Sequence, residues 1–227
     1  MKITYTIDGG RRPAPAHERL DIADDGSFTM WRSLSSLSTP PSPIGLFRGS
    51  LAADVRTALQ EAASAAVAAG DLSVAAAPDG AVQTITLDGA TARVGVNADA
   101  GGAWGPLVAI LRRQLDVLTA HPSAVIEVDV APGGDRAALR HEGNEAIGLE
   151  LSGSDVRVVI WRGGAKAGDW RSGELGSGRV SAGPGWSLDV PLTHGFERHD
   201  GDETHVYVTL HADDGGRAVV VQLLHLG

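Results

Sequence analysis

The chain has 227 residues, 43% hydrophobic and 21% charged, with 30 glycines and only 4% aromatics. That composition implies a folded protein with an aliphatic, alanine-lined core and many tight turns, in one large domain or two small ones. The formal net charge of −9 argues against non-specific binding of nucleic acid or an anionic membrane, both of which need a basic surface. The lack of any cysteine excludes disulfides, thiol nucleophiles, iron–sulfur clusters and cysteine zinc sites.

Ile3, Tyr5 and Ile7 alternate with Thr4, Thr6 and Asp8, the pattern of an amphipathic strand rather than of the apolar core of a signal peptide. No stretch reaches the roughly 18 apolar residues of a membrane helix, so a cytoplasmic protein without a cofactor is expected. A proline-containing loop covers residues 11–16. Leu20-Asp21-Ile22 and Phe28-Thr29-Met30-Trp31 then flank Asp24-Asp25-Gly26, a hairpin turn in which glycine supplies the positive φ. A serine- and proline-rich loop occupies 35–43. Ser50 reads as the N-cap of a helix carrying Leu51, Val55, Leu59, Ala62 and Ala66 on one face and ending at Gly70.

Strands follow at 72–77 and 82–87. The second pairs across Asp88-Gly89 with Thr91–Val96. Trp104-Gly105-Pro106 opens a further amphipathic helix, 107–120, with Leu107, Ile110, Leu111, Leu115 and Leu118 on one face. Arg112, Arg113 and Asp116 lie opposite and read as a solvated face.

After Pro122 the texture becomes nearly all strand. Ile126, Val128 and Val130 alternate with Glu127 and Asp129, the ordinary mark of a sheet with one wet face. Residues 146–151 and 156–161 read as a hairpin around Ser152-Gly153-Ser154. A glycine-rich connection, 163–185, is long enough to be either a functional loop or weak edge structure. Strands resume at 187–192, 205–211 and 217–226; the last, with Val219-Val220-Val221 and Leu223-Leu224, is apolar enough to predict a central, doubly buried position. The fold class is therefore α+β: an N-terminal mixed part, 1–121, with two helices packed on hairpin strands, and a C-terminal antiparallel β-sheet or sandwich, 122–227.

Two clusters could carry function. Arg162, Lys166, Trp170, Arg171, Arg179 and Trp186 make the long connection locally basic and aromatic in an acidic chain, a composition suited to contact with another protein. His194, Glu197, His199, Asp200, Asp202, Glu203, His205 and His211 supply imidazole and carboxylate ligand types. Their spacing matches neither His-Glu-x-x-His nor a calcium loop, and a solvated turn beside a half-wet strand is the favoured account of them. A metal-assisted hydrolase using His194, His199, His205 and His211 is the alternative reading. No Gly-x-Ser-x-Gly elbow occurs, and the Gly163–Gly168 run lacks the spacing and the helix of a phosphate loop.

Met1-Lys2-Ile3-Thr4-Tyr5 before Gly9-Gly10, a helix over 51–69, the strand pair 82–96 and a closing helix over 107–120 resemble the emfourin type, small bacterial inhibitors of thermolysin-like metallopeptidases. The resemblance covers residues 1–121 and assigns no inhibitory residue. It implies a non-enzymatic protein whose partner is a peptidase; residues 122–227 have no counterpart in it.

Overall fold

The computed structural model describes residues 2–9, 16–32, 44–78, 80–131, 135–193, 195–197, 199–212 and 218–226, with 16–17 and 218–226 as backbone only. The expected loop at 35–43 and the turn at 213–216 lie outside the described residues, as does the loop expected over 11–16 except for Ala16, which begins a strand. Among the described residues there are two helices and fifteen strands, so the chain is mixed but dominated by sheet. No helix is long and apolar enough to cross a membrane among the described residues.

The chain forms two compact units, Met1–Arg32 with Leu46–Pro122, and Ser33–Gly45 with Ser123–Gly227. In the first, β1 (Ile3–Gly9), β2 (Ala16–Ile22) and β3 (Ser27–Arg32) form a meander, and β4 (Ile44–Ser50), which belongs to this unit from Leu46 on, follows beside β3. After α1 (Ala53–Ala69) come β5 (Leu72–Val74), β6 (Ala81–Leu87), β7 (Ala90–Gly95) and α2 (Trp104–Leu118). The strand order is β3-β2-β1-β6-β7-β5, antiparallel except for the short β5–β7 pair.

Register explains which face is dry. Ile3 pairs with Ile22, Tyr5 with Leu20 and Ile85, and Ile85 with Ala92, and every one of these is buried. The helices bury Leu59, Ala63 and Ala66 from α1 and Leu107, Leu111, Leu115 and Leu118 from α2. Both turns expected at Asp25-Gly26 and Asp88-Gly89 form, with Gly26 and Gly89 at φ 84° and 99°.

Three expectations for this unit need correction. Ser50 closes β4 instead of capping α1; the cap position is Ala52, which has no side-chain bond to offer. The strand expected over 72–77 stops at Val74. Arg112 is not on a solvated face. Its Nη2 donates to the carbonyls of Val96 (2.6 Å) and Ala98 (3.3 Å), and its Nε donates to Gln83 Oε1 (3.2 Å). Gln83 is wholly buried and also accepts from the Tyr5 hydroxyl at 3.1 Å. A guanidinium on a long stem can lie along the helix and still reach backbone carbonyls beyond it. Trp104 Nε1 donates to Gly70 O at 2.9 Å, tying the start of α2 to the end of α1.

The second unit begins with β8 (Pro122–Val130) and β9 (Arg136–Glu142) and continues with β10 (Ile147–Arg162), β11 (Ala165–Arg171) and β12 (Arg179–Ala182). It ends with β13 (Ser187–Pro191), β14 (Glu203–Ala212) and β15 (Ala218–Leu226). One set of strands runs β13-β9-β8; the other runs β11-β10-β14-β15, with β12 also paired to β10. All of these pairs are antiparallel.

Here the hairpin expected around Ser152-Gly153-Ser154 does not exist, because residues 147–162 form one long strand. The polar triplet is a bulge instead: the four residues Leu151–Ser154 stand opposite the single Leu210. Gly153 takes φ 79°, and the wholly buried Ser154 locks the kink. Its hydroxyl donates to Glu150 O (2.6 Å) and accepts from His211 N (3.1 Å). The strand expected to be central, β15, pairs only with β14 among the described residues and ends the sheet. β9 had no sequence forecast, although Ala137, Leu139 and His141 alternate inward along it.

Candidate functional site

About half of the glycine-rich connection is strand, β11 and β12. Gly163 and Gly164, at φ 56° and 79°, form a two-residue turn joining β10 to β11, the conformation for which paired glycines are favoured. The phenyl ring of Phe196 lies where a side chain on Gly168 would stand, which fixes glycine there. Between β11 and β12, residues 172–178 fold over the β10 bulge. Leu175 N donates to Ser154 O, Leu151 N donates to Gly178 O, and Gly178 N donates to Ser152 Oγ, each at 2.9 Å.

The cations expected to make this segment basic are matched by acids. Arg162 grips Asp202 through Nε and Nη2, both at 2.8 Å, and Asp202 also accepts from His199 N at 3.0 Å. Lys166 and Arg157 share Asp169, at 2.9 and 2.6 Å. Arg171 meets Asp155 at 3.4 Å, and Arg179 meets Glu150 at 3.3 Å. The guanidinium of Arg162 holds the Asp202 carboxyl well below the usual carboxylate range, and Arg157 with Lys166 does the same for Asp169. Steering of an acidic partner by this surface is thus largely cancelled within the sheet.

The histidine–acid cluster does not converge. His194 lies outside the described residues. His199 sits in the turn held by Asp202. His205 and His211 lie on β14, six positions apart, or about 20 Å at the rise of a strand. His205 packs between the rings of Trp161 (6.2 Å) and Tyr207 (6.3 Å), while His211 lies over the bulge at Gly153. Among the described residues no three histidine or acidic side chains are placed to hold one metal ion.

The tryptophans divide. Trp161 faces His205, and the backbone of Trp186 stitches β13 to β9, its carbonyl accepting from His141 N at 3.0 Å. Trp170 lines an open cleft of about 240 Å³ with Ser172, Glu174 and Leu175 on one side and Leu188 to Pro191 and Thr193 on the other. One wall follows β11 and the other is β13. Of the expected contact residues only Trp170 reaches it. Leu175, Leu188 and Val190 were not singled out by sequence because they come from separate segments, although the alternation of Ser187, Asp189 and Pro191 with Leu188 and Val190 marks an edge strand.

On the outer face of β8 and β9, Glu127 is raised above the usual carboxylate range by burial and by the neighbouring Glu142. Arg140 bridges to Asp129 at 3.1 Å on the same face. No known family matches the sequence, and no curated protein is similar to it.

Proposed function

We propose that this chain is a binding protein without catalytic chemistry of its own, and that it engages another protein through the cleft between β11 and β13. The observation that carries the reading is the cleft itself: Trp170, Leu175, Leu188 and Val190 line it beside Glu174 and Asp189. An indole set among aliphatic side chains with a polar rim is the usual make-up of a contact centre. The cations of β10, β11 and β12 are occupied by their own acids, which leaves apolar area and the Glu174 carboxylate on that wall, while Asp189 on the other wall is shared with Arg136 at 3.9 Å.

Capture with immobilised full-length chain and with Trp170→Ala tests the reading. A partner retained by the first and lost from the second supports it, and equal retention by both removes the cleft from the function. The resemblance of residues 1–121 to emfourin-type inhibitors, which does not extend to the cleft, supports a sharper version of the binding class, in which residues 1–121 engage a thermolysin-like metallopeptidase. A panel of such peptidases left fully active at micromolar concentrations of the chain would eliminate that version alone. No observation favours the metal-assisted hydrolase, whose described ligands lie apart.

A further inference from the structure

We infer that β13 receives its partner as an added strand: an extended peptide segment with a basic side chain, hydrogen-bonded to the outer edge of Ser187–Pro191 and packed on Trp170. The inference rests on the binding reading above and specifies its geometry and ligand class.

The direction of the backbone groups follows from the pairing. His141 N donates to Trp186 O, and Leu192 N donates to Asp135 O. In an antiparallel ladder, inward and outward groups alternate, so Leu188 and Val190 turn their amides and carbonyls toward β9, as do the Trp186 carbonyl and the Leu192 amide, while the Trp186 amide closes a turn onto Gly183 O at 2.9 Å. Ser187, Asp189 and Pro191 turn theirs away. β13 has no second strand beside it among the described residues. Two outward N–H groups, at Ser187 and Asp189, and three outward carbonyls therefore line one wall of the cleft. Pro191 has no N–H, which ends the donor row and limits the added segment to about four or five residues.

The side chains select what fits. Peptide residues on the face of Leu188 and Val190 meet Trp170 and Leu175, and the alternate residues come alongside Asp189. Asp189 is only loosely engaged, 3.9 Å from Arg136, with both side chains about two-thirds exposed (65% and 66%). Glu174 lines the cleft as well. A lysine or arginine at the rim gains Glu174, and an acidic residue there is repelled by it; on the face of Asp189, Arg136 and Arg140 offset part of that preference.

The test selects random seven-residue L-peptides against the full-length chain, with Trp170→Ala as counter-selection. Selected peptides should alternate apolar residues around one Lys or Arg. Methylating single backbone nitrogens of a selected peptide should weaken it about tenfold at every second position and by under about twofold between. This arm leaves the protein unaltered. In the protein, Asp189→Pro should weaken the peptide about tenfold, while Glu174→Gln should reduce only the preference for basic residues. Glu174→Lys with Asp189→Lys should turn selection toward acidic peptides.

Peptides that need Trp170 yet tolerate methylation at every position overturn strand addition and leave the binding reading intact. A chain that selects no peptide and sediments as a dimer broken by Asp189→Pro also overturns it, with a second copy on the edge. Failure to select any peptide with a monomeric chain overturns it too, and Trp170-dependent capture of a full-length partner then decides the binding reading separately.

Discussion

Arg112 offers the sharpest check on how the first unit is held together. Arg112→Met keeps most of the apolar stem and removes three donated bonds: to Val96 O at 2.6 Å, Ala98 O at 3.3 Å and Gln83 Oε1 at 3.2 Å. A hydrogen bond to a charged group is worth about 1.5–3 kcal/mol, and a long one less. The short Val96 bond dominates, and the two longer ones add about half as much each. Arg112 is itself half-buried, and Gln83 keeps its Tyr5 partner at 3.1 Å. The expected loss is about 2–4 kcal/mol. Arg113, one residue on and exposed, supplies the control, because Arg113→Met should change stability by less than about 0.5 kcal/mol. Urea unfolding of the full chain, followed by far-UV circular dichroism and calorimetry so that two transitions are resolved, reads both variants. An Arg112→Met transition no lower than that of Arg113→Met would refute the clamp. A Gln83→Leu/Arg112→Met cycle should then show the two losses to be non-additive.

Burial, followed by the charge of Glu18, raises the Tyr5 hydroxyl above its ordinary range. Its contribution to stability should be whole below about pH 10, the value in an unfolded chain, and lost as pH rises beyond that. Tyr5→Phe should flatten the alkaline limb of urea midpoints measured from pH 8 to 11, and parallel limbs for the two proteins would contradict this. Ser154→Ala leaves Glu150 O and His211 N without their bonds. It should cost about 2–3 kcal/mol and speed hydrogen exchange at the His211 amide above all others on β14. Asp169, depressed by Arg157 and Lys166, contributes stability present above about pH 4 and lost as pH falls below it. Asp169→Asn should remove that part of the acid limb, and an unchanged acid profile would show the pair to be idle.

Local chemistry made much of the fold legible. Asp25-Gly26 and Asp88-Gly89 place turns, and the spacings from Leu59 to Ala66 and from Leu107 to Leu118 place helices, because each signal lies within the element it specifies. Misreadings arose where a distant strand decides. Gly153 needs positive φ in a tight turn and in a bulge alike, and only Leu210, some 57 positions on, selects the bulge. The apolar run of β15 predicts a central strand, yet its place at the end of the sheet follows from pairing order, which composition does not encode. The cleft was legible only at Trp170, since its walls come from stretches about 15 residues apart in the chain that become neighbours only when β10 and β9 position them.

The pairings of β10 set a folding schedule. Its partner β11 lies across a two-residue turn and can zip within microseconds. On the opposite side, β14 must return from far along the chain, with Leu149 meeting Ala212 and Trp161 meeting Glu203, a slow closure. Until it does, Val156, Val158 and Ile160 present a sticky open edge in the newly made chain. The charged residues interleaved there, Asp155 and Arg157, act as gatekeepers against self-pairing during that interval. Neutralising both should lower the yield of folded chain on rapid dilution from denaturant more than it lowers the stability of what has folded.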